Sequence, residues 1–296
     1  MDAKPGEPGP QRVGRLVYRG GIALTSPDRR FGGWSGLAVS ADGTVLRAIS
    51  DKGFWLAARI VMADGQLAGL ADARLGRLLD ETGQRLEDKW NEDAEALAVG
   101  PGGEMVVAFE RRHRLWRYGR WPEGLAGLPK ALPAPPGIEE APGNGGIETL
   151  AALGDGRLLA ITEELEAPET GGKGLRGWLL DPANGKADAI AWTKTGEYAP
   201  TDAAPLPDGD VLVLERRFTL AGGPGMRLSR VAGAELRPGA LLAGETLAEL
   251  SARYSIDNME GLAARTVDGR TLVYVLSDDN YNVLQRTVLL LFEIAR

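Results

Sequence analysis

The sequence predicts an all-β fold, a single β-propeller of four-stranded blades, and three observations carry that prediction. A short phrase recurs five times, a glycine-bearing turn follows each copy, and an apolar run ending on an acid follows each turn. The copies are Trp34-Ser35-Gly36-Leu37-Ala38, Ala94-Glu95-Ala96-Leu97-Ala98, Ile147-Glu148-Thr149-Leu150-Ala151, Thr201-Asp202-Ala203-Ala204 and Met259-Glu260-Gly261-Leu262-Ala263. The turns are Asp42-Gly43, Gly102-Gly103, Asp155-Gly156, Asp208-Gly209 and Asp268-Gly269, and the closing acids are Asp51, Glu110, Glu163, Glu215 and Asp278. Aligned on Ser35, Glu95, Glu148, Asp202 and Glu260, the copies stand 60, 53, 54 and 58 residues apart. Periods of that size mark propellers and solenoids.

Each element follows from local pattern. Residues 1–11 are rich in Pro and Gly and are expected to be a disordered leader before a single domain spanning 12–296. Residues 12–19 read as a strand without a hairpin partner of its own. Within a unit, two short apolar runs flank the Gly turn, as at 150–153 and 157–162 around Asp155-Gly156, which is the signature of a β-hairpin. A third run follows at 54–61, 115–118, 175–180, 226–231 and 287–294, and a fourth at 67–79, 186–192 and 236–242. Four antiparallel strands make a propeller blade. The last unit has three strands, so segment 12–19 is expected to supply its fourth and close a ring of five blades, hiding the open edges. Six blades is the alternative, with a degenerate blade in 67–79 or 116–132.

Composition excludes several functions. The formal net charge of −7 lacks the basic footprint of a nucleic-acid surface. No apolar stretch approaches a membrane span. With no cysteine in 296 residues, disulfides, thiol catalysis and thiolate metal sites are all excluded. No signal peptide is evident, so either the protein is cytoplasmic or the sequence starts after a removed one.

The acids point to chemistry. The start of a blade's innermost strand and the end of its second strand lie at the same mouth of the disc, opposite the hairpin turn. That places an inner ring of Ser35, Glu95, Glu148, Asp202 and Glu260 beside a second ring of Asp51, Glu110, Glu163, Glu215 and Asp278. Crowded carboxylates repel and call for a cation. Oxygen ligands suit Ca²⁺ first and Mg²⁺ second, and a lone His113 disfavours zinc. Asn91, Asn144 and Asn258, just upstream of three inner acids, are candidates for amide ligands. The competing reading is structural: inner acids accept backbone N–H groups from neighbouring blades, and the outer acids pair with Lys52, Arg111, Arg112, Arg216 and Arg217. Those cations, with a metal, would equally form a pocket for an anionic group.

Other motifs lose on context. Gly172-Lys173-Gly174-Leu175-Arg176-Gly177 matches the dinucleotide pattern but precedes a strand-like run and no helix. In Asp278-Asp279-Asn280-Tyr281-Asn282, Val283 replaces the glycine and Leu289 the glutamate of an EF-hand loop. Ser35 lacks the second glycine of a nucleophile elbow, and His113 among arginines reads as a loop residue, not a triad member.

The phrases Asp93-Ala94-Glu95-Ala96-Leu97-Ala98, Phe109-Glu110-Arg111-Arg112 and Asp257-Asn258-Met259-Glu260-Gly261-Leu262 resemble the "esterase-like activity of phytase" family. So does the ending from Leu276-Ser277-Asp278-Asp279-Asn280-Tyr281-Asn282 to Leu290-Leu291-Phe292. The resemblance implies a bacterial β-propeller that is usually exported, hence periplasmic or secreted, with a link to phosphate-ester hydrolysis. Ser35 departs from the acid found in the other copies.

The leading expectation is a metal-dependent hydrolase of phosphate or related esters. Glu95, Glu148, Asp202, Glu260, Asn144 and Asn258 would hold the metal, and Glu163 or Glu215 would act as general base. Lys52, Arg111, Arg216, Asp51, Glu110 and Asp278 would contact a small anionic ester, bound by a monomer. The alternatives are a non-catalytic propeller that binds a cation and a ligand, and a lactonase-like propeller.

Overall fold

The computed structural model describes residues 12–120 and 124–295. The expected leader, 1–11, lies outside them. Five antiparallel sheets form a ring, and the five repeated phrases are their innermost strands. The first blade comprises Trp34–Val39, Val45–Ser50, Phe54–Ala63 and Gln66–Arg77. The second comprises Ala94–Val99, Glu104–Phe109, Arg114–Arg120 and Lys130–Leu132, and the third Ile147–Ala152, Leu158–Glu166, Gly174–Asp181 and Lys186–Thr193. The fourth is built from Ala199–Pro205, Val211–Thr219, Gly223–Val231 and Glu245–Ser251. Each inner strand touches the inner strand of the next blade, and the last returns to the first. The ring therefore has five blades. The stretch considered for a sixth, 116–132, supplies the outer half of blade two.

Blade five closes the ring. Asn258–Val267, Arg270–Asp278 and Thr287–Ile294 are joined by Leu16–Leu24, which runs antiparallel to Thr287–Ile294 from Leu16↔Ile294 to Leu24↔Thr287. The closing strand starts and ends later than residues 12–19, because Arg12–Val13 folds back on Leu16–Val17 as a two-residue ribbon. The segment expected as the outer strand of blade four also differs. Pro238-Gly239 interrupts it, the Gly239 N–H donates to Ala189 O, and Leu241–Leu242 pairs parallel to blade three. Glu245–Ser251 takes the outer place in blade four instead.

The core lies between blades. Five apolar clusters among the described residues each fill one blade-to-blade interface, because alternate strand residues face opposite sides of a sheet. Trp34 is sealed between blades five and one, and Trp178 between two and three. Buried side chains of this kind stabilise by roughly 1.5–3 kcal/mol each. No helix of the described residues is long and apolar enough to cross a membrane.

Candidate functional site

Every inner strand carries a β-bulge at the same mouth. Pairing with the second strand slips by one between Trp34 and Gly36, Ala94 and Ala96, Ile147 and Thr149, Pro200 and Asp202, and Met259 and Gly261. A bulge leaves one residue unpaired and re-aims it. Those residues are Ser35, Glu95, Glu148, Thr201 and Glu260. On the second strand, the residue after the partner of the bulge's first residue is Asp51, Glu110, Glu163, Arg216 or Asp278.

In blade four both positions are therefore shifted by one from the sequence alignment, and a shift of one residue on a strand reverses the side chain's direction. Asp202 does not line the mouth. It is fully buried, and it accepts hydrogen bonds from the N–H groups of Leu262 (2.6 Å) and Ala203 (2.8 Å), with Leu37 as a third backbone donor. It thus ties together the inner strands of blades four, five and one. The equivalent residues in those neighbours, Gly36 and Gly261, have no room for a side chain: a Cβ at Gly36 would meet Leu97 N at 2.8 Å, and one at Gly261 would meet Leu37 Cβ at 2.8 Å.

Glu215 is likewise not a free base. Arg227 grips it with Nε and Nη2 at 2.7 Å each, and Trp192 Nε1 donates to it at 3.2 Å. Its side chain is 1% exposed. Removing one partner of a buried pair strands the other charge. Glu215→Ala is expected to lower unfolding free energy by about 3–5 kcal/mol in urea titration; a loss below about 1 kcal/mol would contradict that structural role.

The mouth encloses a cavity of about 230 Å³ lined by Ser35, Asp51, Asp93, Glu95, Glu110, Arg111, Asn144, Glu148, Glu163, Arg216, Glu260, Asp278 and Asn280. Eight of these are carboxylic acids and two are arginines. Lys52 is not among them; its Nζ sits 3.2 Å from the centre of the Tyr281 ring. Asn258 stands one step back, its Nδ2 donating to Glu260 Oε1 at 2.6 Å.

The cavity has two halves of different character. On one side, one carboxylate oxygen each from Asp93, Glu95 and Glu110 lies within 4.8 Å of the others, an arrangement able to hold a metal ion. Arg111 pairs with Asp93. On the other side Arg216 reaches Glu163 Oε1 at 3.1 Å and Glu260 Oε1 at 3.2 Å. Between them stands Glu148, 9% exposed, with no hydrogen bond among the described residues and with Arg216 as the cation that acts on it without direct contact. Asp51 Oδ1 is also buried without a hydrogen bond.

Crowding shows in the acidities. Burial, then the charges of Asp278 and Asp93, push Asp51 up to about 7. Burial pushes Glu110 up to about 8 against the pull of the Gly146 N–H, and Asp278 up to about 6. Glu95, Glu148 and Glu260 are raised well above the usual carboxylate range, first by burial and then by their acidic neighbours. Burial opposes the Arg216 charge, yet Glu260, Glu148, Glu163 and Asp278 more than offset it and hold the guanidinium protonated. The wall is also conformationally strained. Arg111, Asn280 and Tyr281 have φ of 55°, 48° and 49°, values non-glycine residues seldom adopt and that cluster at functional sites.

Asp93 and Asn280 were not singled out as site residues from sequence. Asp93 carried a signal, since it lies two residues before Glu95 and so on the same side of the chain. Asn280 carried none, because its place depends on its left-handed turn.

A family model described as Phytase-like, esterase-like activity of phytase, matches residues 29–281. Among solved structures, the chain is similar to the PQQ-bound aldose sugar dehydrogenase of Streptomyces coelicolor, at 16% identity and a TM-score of 0.47 over 92% of this chain and 97% of that one. It is also similar to an α-L-arabinofuranosidase of Clostridium thermocellum, at 11% identity and a TM-score of 0.47 over 81% of this chain and 80% of that one. No curated protein matches the chain.

Proposed function

The chain belongs to the phytase-like family, esterase-like activity of phytase, and from that premise we propose that the acidic mouth is a divalent-cation site at which small anionic esters are hydrolysed. The observation that carries this reading is Glu148: a buried carboxylate with no hydrogen bond among the described residues, facing a cavity in which eight acids share two arginines. Buried negative charge in excess of its cations is costly, so such a cluster calls for a further cation or for protons. The donors are all hard oxygens, which suit Ca²⁺ or Mg²⁺. Asp93, Glu95 and Glu110 would hold the ion, with Glu148 beside them.

A cation there would polarise an ester oxygen and offset charge developing on it. Glu163 faces the same cavity and is the candidate general base. Its ion pair with Arg216, at 3.1 Å, fixes its direction. Arg216 and Arg111 would orient an anionic oxygen of the substrate. Asp202 and Glu215 take no part in this scheme.

One observation favours the non-catalytic reading, a cation site that binds without turnover. Both arginines in the cavity are already ion-paired with its own acids, which leaves less of them for a substrate.

The test is turnover of an aryl phosphate and an aryl acetate with Ca²⁺ or Mg²⁺, with a sugar lactone as a third arm for lactonase activity. Glu148→Gln and Glu95→Gln should lose activity and recover part of it at higher metal concentration. Glu163→Gln should lose about 10²–10⁴-fold at every metal concentration, the share of a single general base. Turnover by the wild type that persists unchanged in all three variants would remove these acids from catalysis.

A further inference from the structure

Blade four departs from its neighbours at one place in the mouth. Where blades one, two, three and five carry Asp51, Glu110, Glu163 and Asp278, the bulge in blade four brings Arg216. A guanidinium thus stands in a ring otherwise made of carboxylates. It spans to both neighbouring blades: Nη2 lies 3.1 Å from Glu163 Oε1 in blade three, and Nε lies 3.2 Å from Glu260 Oε1 in blade five. Glu148 and Asp278 add their negative charge around it.

These contacts are those of a counter-ion. Nη2 donates to Glu163, but the buried Nε–H makes no hydrogen bond among the described residues, although Glu260 Oε1 is near. Glu215, one residue earlier, shows the contrast, since Arg227 meets it through two hydrogen bonds of 2.7 Å. Arg216 supplies Glu260 with charge and no directed bond, and a spherical cation would supply the same. The opposite half of the cavity has no equivalent. The neighbouring charges that act most on Glu95 are Glu110, Asp93, Glu260 and Asp51, all acids, whereas Arg216 acts on both Glu148 and Glu260. Arg111 forms its ion pair with Asp93.

We infer that Arg216 is a built-in counter-ion that holds the place of a divalent cation beside Glu163 and Glu260, so that any ion the mouth takes enters on the side of Asp93, Glu95 and Glu110. This deepens the cation-site reading and rests on it for the second clause: it names the residue that sets how many ions enter and on which side. With the guanidinium gone, Glu148, Glu163, Glu260 and Asp278 would face one another with oxygen donors alone. Ca²⁺ takes about six to eight such oxygens, water included.

Equilibrium dialysis of the chelator-stripped full chain against saturating Ca²⁺, with bound calcium counted by atomic emission, tests it. Arg216→Met and Arg216→Gln should each bind one Ca²⁺ per chain more than the wild type; the Gln variant keeps an N–H for Glu163 and so protects the fold. Without metal both should melt below the wild type, and millimolar Ca²⁺ should return the difference, because the ion binds only the native state. Arg216→Lys keeps the charge and should bind the wild-type number. So should Arg217→Met, which removes an equal charge one residue away, where the guanidinium lies over the Tyr198 ring. Neutral variants that bind no more Ca²⁺ than the wild type, or that stay unfolded with Ca²⁺ present, would overturn the inference. An extra ion in Arg216→Lys or Arg217→Met would overturn it as well. Because the count is a difference, the two readings fail separately: a wild type that binds no ion, beside neutral variants that bind one, would refute the site at Asp93, Glu95 and Glu110 and support Arg216 as the counter-ion.

Discussion

Deleting residues 1–24 is expected to abolish the folded propeller. Leu16–Leu24 pairs with Thr287–Ile294 at seven positions and is the fourth strand of blade five. Leu16 is 1% exposed and packs into the cluster between blades four and five, while the backbone N–H of Arg15 donates to Leu247 O at 2.8 Å. Without this strand, Leu289 and Leu291, both fully buried, would lie at an open edge. Ladder hydrogen bonds contribute about 0.5–1.5 kcal/mol each and a buried leucine about 1.5–3. Their sum is comparable with the whole stability of a typical domain, about 5–15 kcal/mol. Thermal melting by circular dichroism should show the cooperative transition lost or displaced far below that of the full chain. A truncated chain that melts within a few degrees of it would refute closure of the ring by this strand.

The second large effect is of pH on the cation-free protein. Carboxylates that titrate near pH 4 when unfolded are raised to about 7 at Asp51, about 8 at Glu110 and about 6 at Asp278 in the native state. Between pH 4 and pH 8 the native state therefore holds more protons than the unfolded one. Unfolding free energy must fall as pH rises through that window. A loss of a few kcal/mol shifts the melting temperature of a domain this size by roughly 5–10 °C. Metal-free protein should melt highest near pH 5 and lowest near pH 8, and millimolar Ca²⁺ should recover the loss at pH 8, since a ligand bound only by the native state stabilises it. Flat melting temperatures from pH 5 to 8 without metal would show that neither burial nor mutual repulsion raises these acids.

Much of this was legible in sequence for a physical reason. Blade count and strand order follow from a repeat with a hairpin turn in each copy, and Asp155-Gly156 or Asp268-Gly269 marks its hairpin without help from the rest of the chain. The mouth that collects the acids follows from strand direction alone. Blade four was not legible to the residue. Its phrase lacks the leucine that anchors the other four copies, so Thr201 and Asp202 compete for one place, and only the bulge between Pro200 and Asp202 decides it. The same shift makes Arg216, not Glu215, the fifth member of the second ring. What looked like a ring of acids is thus a ring broken by one cation, paired with Glu163 and Glu260. The outer strand of blade four was misplaced because two apolar runs, 236–242 and 245–251, compete and only tertiary pairing separates them.

Cation binding itself is the most direct measurement. Calorimetric titration of chelator-stripped protein with Ca²⁺ at pH 7.5, repeated with Mg²⁺ and in buffers of different ionisation enthalpy, reads affinity and proton release together. Saturable binding is expected, with protons released because the raised acids ionise as the ion enters, and it should be weakened at least tenfold in Glu95→Gln/Glu148→Gln. No saturable heat with either ion, or a double variant that binds as tightly as the wild type, would contradict a cation site at the acidic mouth.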